Sequence, residues 1–190
     1  MSVFLFVIIL NFYLYKISIK RGFNKIDMNT ILIISMMINI ISVFIVIDKF
    51  NYLYLSILIS IFTFIFYIDF KKFIIFDEFN LLLFIFGLIY IVYKNAFFNL
   101  FICMILFVVS ILLNIIMSKC DKEYIGGGDL KLISVMSLYV GFVGSMFALT
   151  IASSVAIIYY IFKKSKVLPY GPFLSIGYTL VFLLFSMHII

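Results

Sequence analysis

Long, uninterrupted runs of apolar residues are the feature that most limits how this chain can fold. A helix needs roughly 20 apolar residues to cross a hydrocarbon core of about 30 Å, and runs close to that length recur between short polar connections. Only 12% of the residues are charged, about half the share that is usual in soluble domains. The sequence therefore predicts an all-α, polytopic membrane protein in which residues 1–190 form a single integral-membrane domain.

Eight transmembrane helices are predicted, and their number depends on a helix break. The stretch from Leu130 to Phe162 would be about 50 Å long as one helix at 1.5 Å per residue, which is too long for one crossing. A break at Gly141-Phe142-Val143-Gly144 divides it into a sixth span, of roughly 12 residues from Leu130, and a seventh span that ends at Phe162. The other predicted spans are residues 3–15, 29–47, 52–68, 79–93, 96–117 and 173–190.

Basic residues fall almost entirely on one side of this predicted topology. With the N-terminus outside, Lys49 and Lys94 lie in outer turns, and the rest of the 14 Lys and Arg residues lie on the opposite side. An excess of Lys and Arg is typical of cytoplasmic loops. The net charge of +6 is therefore attributed to membrane topology, and no nucleic-acid partner is predicted.

Two acidic residues each abut an apolar helix on the predicted cytoplasmic face. Asp69 follows the third span, and Asp129 precedes the sixth. An acidic side chain beside a membrane span is costly to keep, so both are candidate functional residues. Gly126, Gly127 and Gly128 directly precede Asp129. These glycines are expected to let the backbone turn and to let another chain approach closely.

Two neighbouring carboxylates suit hydrolysis of a peptide bond by general acid–base catalysis. Burial and like charge would keep one of them protonated, while the other activates a water. Two alternatives stay open: Asp69 and Asp129 could be cation or proton sites of a small transporter or channel, or structural acids paired with lysines such as Lys131. No metal site is predicted, because the chain has one histidine and its two cysteines form no CxxC pair.

Three motifs resemble those of the type IV prepilin peptidases, which are membrane aspartyl proteases of the GxGD type. Residues 126–132 read Gly-Gly-Gly-Asp-Leu-Lys-Leu, similar to the GxGDxKL signature of that family. Residues 168–174 read Leu-Pro-Tyr-Gly-Pro-Phe-Leu, similar to the Pro-Phe-Gly-Pro-Phe-Leu segment before the last span. The third motif is similar to the family's first aspartate box and consists of Asp69 and the residues that follow it, Lys71, Lys72, Ile75, Asp77 and Glu78.

The resemblance implies an endopeptidase that removes short basic leader peptides from type IV prepilins or pseudopilins at the cytoplasmic face of a prokaryotic membrane. It implies Asp69 and Asp129 as the catalytic pair, with Lys131 and the glycines before Asp129 as supporting residues. The implied partners are membrane-inserted prepilins within the lipid bilayer, and proteolysis would need no cofactor. Asp77 and Glu78 are expected to bind the substrate because two acids would attract a basic leader. The last motif is expected to contribute three further substrate-binding residues, Pro169, Gly171 and Pro172.

The chain departs from the family pattern in its N-terminal part and at one loop residue. Residues 1–66 lack the large loop with paired CxxC zinc sites that many members carry, so the peptidase core is assigned to residues 67–190. Bifunctional members also methylate the new N-terminus with S-adenosylmethionine, but no match to their methylation segment is found around Asn11 to Arg21. Phe76 stands where proline is usual, which leaves open how the loop after Asp69 turns.

Two other functions compete with the protease. A small transporter or channel is disfavoured because Asp69 and Asp129 lie at span ends and not at the membrane midplane. An inactive assembly subunit is disfavoured because both aspartates are retained.

Overall fold

The computed structural model describes residues 2–42, 48–118, 126–163 and 168–186. Within these ranges the chain forms seven α-helices and no strand. Five of the described helices, α1, α2, α3, α5 and α6, are long and apolar enough to cross a membrane. The predicted all-α, polytopic membrane fold is confirmed. The helices are α1 (Ser2–Lys20), α2 (Lys25–Ser42), α3 (Lys49–Lys72), α4 (Asp77–Lys94), α5 (Phe97–Ser118), α6 (Gly127–Lys163) and α7 (Gly171–Ser186).

The helix α6 folds back on itself at Gly141. The backbone there has φ 67° and ψ −169°, a conformation that is essentially restricted to glycine. Both ends of α6 lie near the C-terminal end of α3: a Cβ atom on Gly128 would lie 3.0 Å from Cβ of Ile75, in the loop after α3, and the ring of Tyr159 lies 5.8 Å from that of Phe70, in the last turns of α3. The predicted break between Gly141 and Gly144 is therefore confirmed, whereas the number of eight membrane crossings stays a prediction.

The break in α6 is supported by a side chain from α5. Asn99 donates a hydrogen bond from Nδ2 to the carbonyl oxygen of Leu138, over 3.2 Å. That carbonyl would otherwise pair with a backbone N–H one turn later in a continuous helix. A Cβ atom on Gly141 would also lie 3.0 Å from Oδ1 of Asn99. Conformation and space therefore both select glycine at this position.

Replacing Gly141 by alanine is expected to destabilise the protein. A non-glycine residue held in such a conformation costs roughly 1–3 kcal/mol, and the methyl group would also press on Asn99. We expect the midpoint of thermal unfolding of the detergent-purified protein to fall by several degrees. The change Thr150→Ala, at an exposed position of the same helix, should leave the midpoint unchanged. An equal midpoint for Gly141→Ala and the original chain would mean that α6 does not depend on this glycine.

The helices α3 and α6 form the centre of the bundle. The helix α3 packs mainly against α7, α2 and α1, whereas α6 packs mainly against α7, α5 and α4. In the apolar stretch of α3, 72% is buried inside the bundle, whereas in that of α5 only 17% is buried. The helix α5 therefore presents most of its apolar side chains to the lipid, and α3 presents few.

Buried polar side chains join α1 and α2 to α3. Asn11 of α1 donates a hydrogen bond from Nδ2 to Oγ of Ser60 over 3.0 Å, and Asn39 of α2 donates one from Nδ2 to the same oxygen over 3.0 Å. Ser35 donates to Oδ1 of Asn11 over 2.6 Å. Such bonds between helices contribute to packing in apolar surroundings. These bonds hold α1 and α2 against α3, the helix that carries Asp69. The division into N-terminal spans (residues 1–66) and a peptidase core (residues 67–190) stays a prediction.

Each predicted span overlaps a helix of the structure. The helix α2 begins before its predicted span, at Lys25, and α6 begins inside the predicted polar loop, at Gly127. Parts of two predicted spans, residues 43–47 and 187–190, lie outside the described residues. Two acidic residues of the loop before α6, Asp121 and Glu123, and the one histidine of the chain, His188, also lie outside the described residues.

Candidate active site

Asp69 and Asp129 lie at the same end of the bundle. Asp69 is in the last turn of α3, and Asp129 is in the first turn of α6. Their side chains are buried, with exposed fractions of 4% and 9%. Gly171, which donates a hydrogen bond to Asp69, and Gly128, which directly precedes Asp129, both lie against the side chain of Ile75. Two acidic groups from distant parts of the chain therefore share one buried site.

The N-terminus of α7 holds the carboxylate of Asp69. The backbone N–H of Gly171 donates a hydrogen bond to Oδ2 of Asp69 over 3.0 Å. The first N–H groups of a helix lack partners within the helix and favour negative charge. Pro172 suits the first turn because its missing N–H is not needed there, and Pro169 is buried just before the helix. Three of the predicted substrate-binding residues therefore lie in the segment that positions Asp69.

The carboxylate of Asp129 is held by the start of its own helix. It is the third residue of α6, and it accepts a hydrogen bond from the backbone N–H of Gly126. An acidic residue at the third helical position commonly reaches back in this way. Its Oδ1 atom is buried and has no hydrogen-bond partner among the described residues. Asp129 therefore has one oxygen held in place and a second one available for another group.

Gly126, Gly127 and Gly128 do not form a turn with a left-handed backbone. Among the described glycines only Gly22 and Gly141 have a positive φ, and the backbone passes from Gly126 directly into the first turn of α6. The close approach is found within the chain itself. A Cβ atom on Gly128 would lie 3.0 Å from Cβ of Ile75, and one on Gly126 would lie 3.0 Å from Oδ2 of Asp129. Two of the three glycines are therefore needed for space and not for conformation.

Ile75 forms a shared wall between the two aspartates. Its side chain is 9% exposed and lies against the positions of both Gly128 and Gly171. The sequence places Ile75 in the motif after Asp69 but assigns it no role, because the site is marked there by its charges. The signal that could have found it is the alternation of exposed and buried residues in the short loop, where Ile74 is exposed and Ile75 is buried.

The loop after Asp69 has a conformation that suits proline at residue 76. The helix α3 ends at Lys72, and the next residue, Phe73, has a φ of 55° and donates its N–H to the carbonyl oxygen of Asp69. Phe76 has φ −72° and ψ 136°, and proline fixes φ near −65°. The backbone at Phe76 therefore has a conformation that proline would also adopt. The ring of Phe76 instead packs against Phe23, with a centroid distance of 6.1 Å.

A methyl group on Gly128 is expected to lower activity at this site, whereas one on Gly127 is not. The Cβ atom of Gly128→Ala would press on Ile75, including its backbone, and would shift the start of α6. The nearest atom to a Cβ on Gly127 is 3.6 Å away, in Asn114, which is ordinary contact. We expect substrate turnover to fall about tenfold for Gly128→Ala, since small displacements of a reacting group are costly. Turnover by Gly127→Ala should stay within about twofold, and equal turnover by both variants would contradict this reading of Ile75.

Comparison with known proteins shows the family of the chain. The sequence model of the type IV leader peptidase family matches residues 56–161, which is more than half of the 190-residue chain. The chain belongs to the type IV leader peptidase family. A search of curated proteins and a search of solved structures each returned no match. The family and the apolar helices together make this chain a multi-pass membrane protease.

The segment matched by the leader peptidase family contains both aspartates. It begins within α3 and ends near the end of α6, so it covers Asp69, Ile75 and Asp129. It does not include Gly171, which nevertheless contacts Asp69 directly. The site of this leader peptidase therefore extends beyond the matched segment into α7.

The charged residues around the start of α4 in this leader peptidase form ion pairs. The Nζ atom of Lys131, in α6, lies 2.7 Å from Oδ1 of Asp77, in α4. Arg21 forms the second ion pair, with Glu78. Lys131 follows Asp129 by two residues, so the two side chains leave α6 on nearly opposite sides. Lys131 therefore ties α6 to α4 and does not contact the catalytic candidates in this arrangement.

Proposed function

We propose that this leader peptidase is an aspartic endopeptidase in which Asp69 and Asp129 hydrolyse the leader peptide bond of type IV prepilins or pseudopilins. The observation that carries the proposal is the meeting of two buried carboxylates from α3 and α6, each held by a backbone N–H. A pair of neighbouring carboxylates supplies the acid and the base that peptide hydrolysis requires.

The proposed reaction follows from the charges of the pair. Like charges in a buried site disfavour ionisation of both groups, so the pair holds one proton between them. The ionised carboxylate takes a proton from a water, and the oxygen of that water bonds to the scissile carbonyl carbon. The protonated carboxyl donates a hydrogen bond to the carbonyl oxygen. When the C–N bond breaks, a proton passes to the leaving amine. The free Oδ1 atom of Asp129 is a suitable contact for the water.

Glycines on two sides of the pair let the chain pack closely around the carboxylates. The space beside Gly128 is filled by Ile75, and the space beside Gly171 is filled by Asp69 and Ile75, so the start of α7 lies directly against Asp69. We infer that the segment of Pro169, Gly171 and Pro172 contacts the substrate near Asp69. Asp77 and Glu78 already pair with basic residues, so their attraction for a basic leader is weaker than that of free acids.

The distribution of basic residues supports a cytoplasmic position for the site. Lys71 and Lys72 end α3 beside Asp69, whereas Lys49 begins α3 at the opposite end. Basic residues favour the cytoplasmic side of a membrane. A cysteine introduced at Lys72 should therefore be shielded from a membrane-impermeant maleimide in intact cells, and one introduced at Lys49 should react.

Co-expression with a prepilin tests the proposed function. In a bacterial host that lacks its own prepilin peptidase, we expect the prepilin to lose its leader only when this chain is present. Mass spectrometry of the product gives the new N-terminus and shows whether that amine is methylated, for which S-adenosylmethionine would be the donor. Uncleaved prepilin, together with aspartate-dependent cation uptake into proteoliposomes, would instead support the transporter.

A further inference from the structure

A cleft separate from the aspartates opens between α4, α5 and α6. It has a volume of about 610 Å³, within the roughly 300–1,000 Å³ that is usual for small-molecule sites. Its walls are largely apolar, and three of its apolar side chains are strongly exposed on the outer surface of the bundle: Leu81, Met104 and Phe107. Met104 and Phe107 belong to α5, which is long and apolar enough to cross a membrane and is mostly exposed, so the cleft opens toward the lipid.

Charged residues of both signs lie at one end of the cleft. Arg21 and Lys131 contribute two positive charges, and Asp77 and Glu78 contribute two negative charges. They form two ion pairs, so these four described residues together carry no net charge. The second carboxylate oxygen of Glu78, Oε2, is buried and has no hydrogen-bond partner among the described residues.

An unpaired amide lies below this charged end. Asn80 lines the cleft, is 5% exposed, and has no hydrogen-bond partner for either Oδ1 or Nδ2 among the described residues. A buried polar group without a partner is costly and calls for an explanation. Asn80 follows Asp77 by three residues, which sets it about 4.5 Å further along the axis of α4.

The charged end of the cleft, Asn80 and the apolar walls follow one another in the same order as the headgroup, the ester groups and the acyl chains of a phospholipid. A zwitterionic headgroup carries a phosphate, which suits Arg21 and Lys131, and an ammonium group, which suits Glu78. The ester carbonyls lie one layer below the headgroup, at the level where Asn80 has a free N–H donor. The acyl chains lie deepest, beside the apolar walls. Because the four described charged residues at the mouth together carry no net charge, they give an anionic lipid no advantage.

We propose that this cleft is a binding site for a phospholipid whose headgroup bears a primary ammonium, with Glu78 accepting a hydrogen bond from the ammonium and Asn80 donating one to an ester carbonyl. Such a lipid bridges the start of α4 to the start of α6, the helix that carries Asp129. The site is distinct from the two aspartates, because Lys131 and Asp129 leave α6 on nearly opposite sides.

Native mass spectrometry of the purified full chain tests the site with two lipids that have identical acyl chains. Dioleoyl phosphatidylethanolamine has an ammonium that donates hydrogen bonds, and dioleoyl phosphatidylcholine does not. We expect a single bound phosphatidylethanolamine, retained about tenfold more strongly than phosphatidylcholine, as befits one hydrogen bond to a charged group. Equal retention of both lipids would mean annular lipid only and would overturn the proposal.

Two variants separate the headgroup from the esters. Glu78→Gln should bring the preference for phosphatidylethanolamine close to unity, while phosphatidylcholine binding is kept. Asn80→Leu, which replaces an unpaired amide by an apolar group of similar size, should weaken both lipids about equally. Thr179→Val, on the distant face of α7, should change neither. Unchanged lipid binding by Asn80→Leu would overturn the proposal. The proposal would also be overturned if a prepilin N-terminal peptide displaced the lipid and bound the cleft through Asn80.

Discussion

Replacing Asp69 or Asp129 by asparagine is expected to lower the rate of leader cleavage by about 100-fold to 10,000-fold, since proton transfer by one positioned group contributes on the order of 10²–10⁴. The change keeps the size of the side chain, and the amide oxygen at residue 69 can still accept the N–H of Gly171. What is lost is the ability to hold a proton or release one. The rate is measured on detergent-purified enzyme with a purified prepilin, and the amount of folded protein is measured in parallel.

A matched control for these variants lies at the other end of α3. Asp48 is exposed, and its side chain accepts hydrogen bonds from the backbone N–H groups of Phe50 and Asn51. Asparagine caps a helix about as well as aspartate, so Asp48→Asn should cleave prepilin at the original rate. Full cleavage by Asp69→Asn or by Asp129→Asn alone would exclude the two-carboxylate mechanism.

The helical architecture could be predicted because it depends on local composition. A run of apolar residues in a membrane must satisfy its own backbone hydrogen bonds, and a helix does so without a partner. The break at Gly141 was also predictable, because a continuous helix from Leu130 to Phe162 would exceed the membrane. The exact helix ends were less predictable: α6 begins at Gly127, since glycines without a positive φ are compatible with a first helical turn.

The assembly of the site could be predicted only in part. The charges and span ends indicated that Asp69 and Asp129 face the same side, but their neighbours depend on tertiary packing. The contact between Gly171 and Asp69 joins residues 102 positions apart, and nothing local to either residue specifies it. The packing role of Ile75 was not predicted for the same reason, because it comes from two glycines that pack against this residue from α6 and α7.

Replacing Gly171 by alanine is expected to lower leader cleavage by about 100-fold while the protein still folds, because a misplacement of about 1 Å can cost that much. The added Cβ atom would lie 2.9 Å from Oδ2 of Asp69 and 3.0 Å from Cδ1 of Ile75. The backbone at Gly171 does not have a positive φ, so alanine meets no conformational obstacle. The methyl group must instead displace the carboxylate that the N–H of Gly171 holds, and cleavage kinetics measure the result.

Two other changes in α7 separate displacement of the carboxylate from damage to the helix. Ser175→Ala removes only the hydrogen bond that its hydroxyl donates to the carbonyl oxygen of Gly171, so it should cleave prepilin at close to the original rate. Gly177→Ala would place a Cβ atom 2.4 Å from the carbonyl oxygen of Ala148, so it should lower thermal stability as well as activity. If Gly171→Ala lost stability to the same extent as Gly177→Ala, its effect on cleavage would follow from misfolding, and the role of Gly171 in positioning Asp69 would be wrong. A normal melting temperature with slow cleavage is the expected result, because the strain falls on one side chain and not on the backbone of a neighbouring helix.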